Sequence, residues 1–222
     1  MRTLLPALAF LTLLAMSAAA DDPPAKKEDS SNKKTEDVLK PGSNLPGPFH
    51  PYNVTGEHKR RYHDPVSDHG LEPMVLIFHK NIDFGDPLPD LLKRIDDAID
   101  KNPDKRLGAF VTFLPDELPD VLGSKDDKNQ DINSKNDDAR LEMEKKIEQN
   151  ATDMKLRHVA LGLDHKSDVA KYRLSDDALV TVVLYTKLKV VAVYALPKSD
   201  FTNTAVDKIL ADVADKLGAK RK

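Results

Sequence analysis

Five consecutive apolar residues, Met74-Val75-Leu76-Ile77-Phe78, restrict the fold more than any other part of this chain. A strand without polar alternation has to be buried on both faces, as an inner strand is when layers cover its sheet above and below. A helix pattern follows, with Leu88, Leu91, Leu92, Ile95 and Ile99 at helical spacing. Asp86 is its expected N-cap carboxylate and Pro87 its first-turn proline. Leu107 to Phe113 reads as the second strand.

The alternation continues downstream. Ser124 to Asp138 is mostly polar and is expected to be a solvated loop, after which Met143, Ile147, Ala151 and Met154 share one helix face. His158 to Leu163 reads as the third strand, and Ser167 is expected to cap a short helical turn through Tyr172. Leu179 to Tyr185 and Lys189 to Leu196 are close enough to pair as a hairpin across Thr186 to Leu188. The last helix carries Val206, Ile209, Leu210, Val213 and Leu217 on one stripe, with Gly218 at the C-terminal cap. Strands alternating with helices favour parallel pairing, and the hairpin adds an antiparallel part. The order βαβαβ, a short helix, then ββα therefore predicts an α/β fold of three layers, a mixed central sheet with helices on both faces. The acidic pairs Asp96-Asp97, Asp126-Asp127 and Asp137-Asp138 fall on polar helix faces or in the loop, where solvation is the expected role.

Upstream of the first strand the chain has a different character. Met1 to Ala20 has one early basic residue, Arg2, an apolar run from Leu4 to Met16, and small residues up to Ala20 before a polar switch at Asp21. This is the pattern of a secretory signal, too short for a membrane span, and it predicts export to a periplasmic or extracellular compartment. Asp21 to Lys40 mixes both charges with Pro and Ser and cannot bury enough surface to order itself. Six prolines between Pro41 and Pro73 then predict extended, turn-rich chain and not helix. The expected organisation is a signal peptide over residues 1–20, a flexible polar linker over 21–40 and one folded domain over 41–222.

The chain contains no cysteine. Disulfides, zinc–thiolate sites, cysteine-bound clusters and cysteine nucleophiles are therefore excluded, and any metal site has to use His, Asp, Glu or Met. A net charge of −3 without a clustered basic face gives no footprint for nucleic acid, and Lys220-Arg221-Lys222 reads as a solvated terminus. No G-x-S-x-G, G-x-x-x-x-G-K or G-x-G-x-x-G run is present. Four of the seven histidines, His50, His58, His63 and His69, fall within twenty residues beside Asp64 and Asp68, so a divalent metal ion is an alternative ligand. Their spacings match no zinc motif, and solvated loop histidines are the competing reading. His79 and His165 follow strands at the end where open α/β sheets place ligands. Asn53-Val54-Thr55 and Asn150-Ala151-Thr152 are glycosylation sequons, meaningful only in a host that glycosylates exported chains.

The element order, together with the Pro-rich run Phe49 to Gly56 and the stretches Gly70 to Phe78 and Val180 to Val191, resembles the thioredoxin-like superfamily, in particular its peroxiredoxin-like and thiol-disulfide exchange branches. The resemblance covers roughly Pro41 to Leu217 and implies that fold. The family's chemistry needs a thiolate at a helix N-terminus, where the dipole and free amides lower its pKa. By the resemblance, the two cysteine positions of a C-x-x-C pair fall at Asp83 and Asp86 or, in the segment Tyr62 to Gly70, at Asp64 and Ser67; the family's cis-proline falls at about Leu179. None of these is the residue that thiol chemistry needs. What the resemblance implies is a degenerate member without a redox centre, not expected to act as an oxidoreductase or peroxidase, that binds an unidentified protein partner. No cofactor is expected beyond the divalent metal that the histidines would hold.

Overall fold

The computed structural model describes residues 39–118 and 130–218, the side chains of 130–136 excepted. The expected signal peptide, nearly all of the linker, residues 124–129 of the expected loop and the basic terminus lie outside the described residues.

The apolar run becomes β3 (Met74–His79), whose six residues are all buried. Its parallel neighbour β4 (Gly108–Phe113) pairs on its other side with parallel β5 (Val159–Leu163), while β6 (Val180–Thr186) runs antiparallel to β3. β7 (Lys189–Leu196) pairs with β6, so the expected hairpin is present. Two short strands extend the other edge: β1 (Tyr52–Asn53) pairs with β5 and β2 (Arg61–Tyr62) with β1. The resulting sheet is mixed and seven-stranded, in the order β2-β1-β5-β4-β3-β6-β7.

The steps from β3 to β4 and from β4 to β5 move in the same direction across the sheet, and right-handed crossovers then put both connecting helices on one face. Those helices are α2 (Leu88–Asp100) and α3 (Gln130–Met154), and α4 (Asn203–Lys216) joins them. Leu88, Leu91, Leu92 and Ile95 of α2 are fully buried with Ile147 of α3 and Val206 and Ile209 of α4, as the helical stripes predict. Strand residues Val75, Ile77, Val111, Leu161 and Val182 face this layer. The opposite face is covered more thinly, by α1 (Pro65–His69), a 3₁₀ turn (Ala170–Tyr172) and the extended segment with Leu45 and Phe49. There Phe49, Phe78 and Tyr172 form a ring cluster with centroids 4.9–5.5 Å apart, and the Tyr172 hydroxyl donates to Gly47 O at 2.8 Å.

Five expectations require correction. The Pro-rich segment is not helix-free: Asp64 caps α1 through both carboxylate oxygens, which accept from Val66 N (2.9 Å) and Ser67 N (3.1 Å), and Pro65 occupies the first turn. Asp-Pro is a helix start as well as a breaker. Asp86 does not cap α2, because the first helical hydrogen bond runs from Leu91 N to Pro87 O, which moves the cap position to Pro87. Ser167 caps nothing with its side chain: its hydroxyl donates to Asp168, and its carbonyl accepts from Ala170 N. Residues 130–138 of the expected loop belong to α3. Asp96 is not a solvated surface carboxylate but is buried, and its role is given below.

Candidate functional site

α1 packs where β3 and β4 begin. His69 Nε2 meets Pro73 O at 2.8 Å, and Gly108, the first residue of β4, accommodates the His69 ring because it has no side chain: a Cβ there would lie 2.5 Å from the ring. Asp68 projects from the same helix. The loop joining β1 to β2 brings in His58, and the residue after β2 brings in His63. His58 Nε2 and His63 Nε2 lie 3.6 and 3.5 Å from Asp68 Oδ2, and the two imidazoles stack with centroids 3.4 Å apart. One ligand atom from each of His58, His63 and Asp68 falls within 4.8 Å of the others, so this triad could hold a metal ion. His63 Nε2 is buried and has no hydrogen-bond partner among the described residues.

Of the four histidines singled out in the sequence, two are in the cluster, and Asp68 completes it. His69 lines the same cavity but is engaged with Pro73 O, and His50 is exposed and outside the cluster. The cavity measures about 360 Å³, is lined by Asn53, His58, His63, Asp68, His69 and His158 among others, and is floored by Met74, Phe110 and Ala160. His158 reaches it because the β5 entrance is fixed from below. Asp96 Oδ1, on α2, accepts from the backbone N–H groups of Arg157 (3.0 Å), His158 (2.7 Å) and Val159 (2.9 Å). Arg157 and His158 also pair with Asp100 at 2.9 and 3.2 Å, and these partners hold the Asp100 carboxyl below its ordinary range. Asn53 is 3 % exposed, which places this sequon inside the domain and not at a glycosylation surface.

The other end of β3 is different. Asp83 and Asp86 are exposed, and Asp83 Oδ1 accepts from Gly85 N at 3.0 Å, closing the turn before α2. Thus the two candidate thiol pairs, Asp64/Ser67 and Asp83/Asp86, belong to opposite ends of β3. Leu179 stands just before β6, bonded to Leu196 O and Lys80 N, and the cis peptide bond among the described residues joins Asp86 to Pro87. His79 does not follow the strand but is the last residue of β3; it is buried, with Nδ1 2.6 Å from Asn81 O, and burial pushes its pKa down. Beside the half-buried His165, Asp164 is 3 % exposed; one carboxylate oxygen accepts from His165 N and the other has no partner among the described residues. Burial raises its pKa to about 7.

The chain therefore has a thioredoxin-like α/β fold. Among solved structures it is similar to AhpC of Mycobacterium tuberculosis (16 % identity, TM-score 0.52, covering 82 % of this chain and 99 % of that one). It is similar also to the yeast mitochondrial 1-Cys peroxiredoxin (15 % identity, TM-score 0.51, covering 80 % and 78 %) and to a conserved protein of Geobacillus kaustophilus (13 % identity, TM-score 0.50, covering 84 % and 88 %). No protein-family model and no curated protein matches the sequence. In this chain the fold comes without cysteine, so thiol chemistry has no residue to act through.

Proposed function

We propose that this protein works by binding and not by electron transfer, and that the bound species is a first-row divalent ion such as zinc, copper or nickel held by His58, His63 and Asp68. One observation carries the reading. The Nε2–Oδ2 separations of 3.5 and 3.6 Å are too long for hydrogen bonds, which fall at about 2.7–3.2 Å. They are close to the edge of a tetrahedron around zinc, about 3.3 Å for metal–ligand bonds of about 2.0–2.1 Å, and the stacked rings, centroids 3.4 Å apart, would spread to turn both lone pairs on one ion. Imidazole and carboxylate donors suit these ions, and a site without thiolate does not select soft monovalent copper. Calorimetric titration of the mature chain with zinc, copper and nickel tests it: one ion per chain at roughly micromolar affinity or tighter supports the reading, and none of the three binding overturns it.

Export of this binding protein is part of the proposal, supported by the leader pattern of residues 1–20. N-terminal sequencing of the natural protein should start at Asp21. A protein partner is the second reading, supported by the outer edge of β2, which carries Tyr62 at 60 % exposure beside His63. Tyr62→Ala should abolish capture of a reproducible partner from envelope extract, and unchanged capture would remove this edge from consideration.

A further inference from the structure

A second cavity lies on the thinly covered face of the sheet and shares no lining residue with the one beside His58, His63 and Asp68. It measures about 430 Å³, within the range of about 300–1,000 Å³ of small-molecule pockets. One wall is the extended segment over residues 39–46, and the other is the 3₁₀ turn with Lys171 and Tyr172, followed by Arg173. Backbone bonds fix both. Gly42 N and Leu45 N donate to Val190 O and Leu188 O, each at 2.8 Å, and Val190 N donates to Ser43 O at 3.0 Å, which fastens the first wall to the edge of β7. Ser43 Oγ donates to Lys40 O at 2.6 Å and closes that turn. In the second wall Tyr172 N and Arg173 N donate to Val169 O and Ala170 O at 2.8 and 3.0 Å, and the Tyr172 hydroxyl on Gly47 O ties one wall to the other. A cavity with walls already ordered costs a ligand little to occupy.

The second observation is the sign of the charge. Every charged residue lining this cavity is a cation, Lys40, Lys171 and Arg173, with no Asp or Glu among them. Neither Lys40 nor Lys171 forms an ion pair or a side-chain hydrogen bond with another described residue. In a chain of net charge −3 this is a local reversal, and the sequence does not show it because the two lysines come from segments far apart. Gathered cations of this kind repel one another and attract an anion of matching charge. Leu39, Pro46 and the buried Tyr172 add apolar surface between them.

We infer that this cavity binds a small organic dianion, a phosphate monoester or a dicarboxylate, with its charged end at Lys40, Lys171 and Arg173 and its apolar body against Leu39, Pro46 and Tyr172. Three cations are too few for nucleic acid, whose binding proteins engage roughly 6–10 phosphates. The site is independent of the metal reading.

The test uses the mature chain, stripped of metal by a chelator so that no anion is held by an ion at the histidines, and follows amide proton and nitrogen shifts during titration with phenyl phosphate, phthalate, benzoate or inorganic phosphate. Phenyl phosphate or phthalate should saturate shifts at Ser43, Asn44 and Lys171 to Arg173, and the tighter of the two identifies the preferred head group. Benzoate, with one charge, should bind about tenfold more weakly. Lys171→Ala should weaken the dianion about threefold to tenfold and lower its sensitivity to salt, and Lys171→Glu should abolish binding; the side chain is exposed, so both variants should fold. Shifts that only rise linearly with both dianions, as salt alone produces, overturn the site in the wild-type chain. Saturable binding that Lys171→Glu leaves unchanged, or that shifts residues outside this cavity, also overturns it. Inorganic phosphate binding as tightly as phenyl phosphate overturns the role given to Leu39, Pro46 and Tyr172.

Discussion

Replacing Asp96 by alanine should destabilise the domain far more than its place in an acidic pair suggests. One buried carboxylate oxygen accepts three backbone N–H bonds at 2.7–3.0 Å from the segment that starts β5. Hydrogen bonds to a charged group contribute about 1.5–3 kcal/mol each, so the gross loss is roughly 5–9 kcal/mol. Water can replace part of it at the exposed Arg157 and His158, whereas Val159 N is buried and is left without a partner. The expected net cost is about 3–5 kcal/mol, a large share of the roughly 5–15 kcal/mol that holds a domain together. For a domain of this size that corresponds to a fall of about 6–20 °C in Tm. Asp96→Asn keeps an acceptor without its charge and should cost about 1–3 kcal/mol. Urea titration followed by far-UV circular dichroism, with wild type, Asp96→Asn and Asp96→Ala side by side, measures the order. A cost below about 1 kcal/mol for Asp96→Ala would refute the claim that this carboxylate anchors β5.

Other perturbations separate the remaining roles. The folded pKa of Asp164, about 7, lies above its unfolded value near 3.8, so the native state binds more protons between those limits and stability attributable to this group falls as pH rises from about 4 to 7. Asp164→Asn should flatten that fall and be more stable than wild type at pH 8 by up to about 4 kcal/mol; equal pH profiles in thermal melts would contradict it. His63→Ala should weaken zinc binding at least about 100-fold, beyond what loss of a supporting residue costs, as read by competition with a chromophoric chelator; affinity within threefold of wild type would remove His63 from the site. Asp64→Cys with Ser67→Cys, one cap and three residues into α1, should form an internal disulfide measurable by mass change after alkylation, at a cost of about 0.5–2 kcal/mol for the lost cap. Two free thiols under oxidising conditions would show that this pair does not have disulfide geometry.

Legibility in the sequence followed the range of the interaction. The α2 stripe of Leu88, Leu91, Leu92 and Ile95 and the unbroken β3 run state their burial locally, because period and hydrophobicity are properties of neighbours. Asp96 could not be read that way: its hydrogen-bond partners lie 61 to 63 residues later, and beside Asp97 it looks like any solvated pair. β1 and β2 are two residues each, too short for alternation to show, and exist only because β5 offers an edge. The metal candidates were half legible. Clustering of histidines in sequence marked the segment in which His58, His63 and Asp68 come together, but that His50 and His69 stay outside this group depends on where the β1–β2 turn and α1 meet, and His158, the residue before β5, lines the cavity without belonging to the group.

Asp64, a candidate thiol position by the resemblance, and the His58–His63–Asp68 triad are linked through α1. A thiolate at a helix start is favoured by the free amides of the first turn. In this chain Asp64 occupies those amides itself, one oxygen on Val66 N and one on Ser67 N. A residue that satisfies the first turn cannot also present an unsatisfied anion to a substrate, so the helix start is structural. One turn further on, Asp68 N donates to Asp64 O at 3.2 Å, and its carboxylate stands beside His58 and His63. The Asp64 cap thereby orients the helix that brings Asp68 to His58 and His63. Asp83 and Asp86 provide no such link: Asp83 serves its own turn, Asp86 is exposed, and neither belongs to the cavity-lining residues. Among the described residues, the end of β3 at α1 joins a candidate thiol position, Asp64, to side chains that could hold an ion, and the binding role proposed for this cysteine-free scaffold is best sought there.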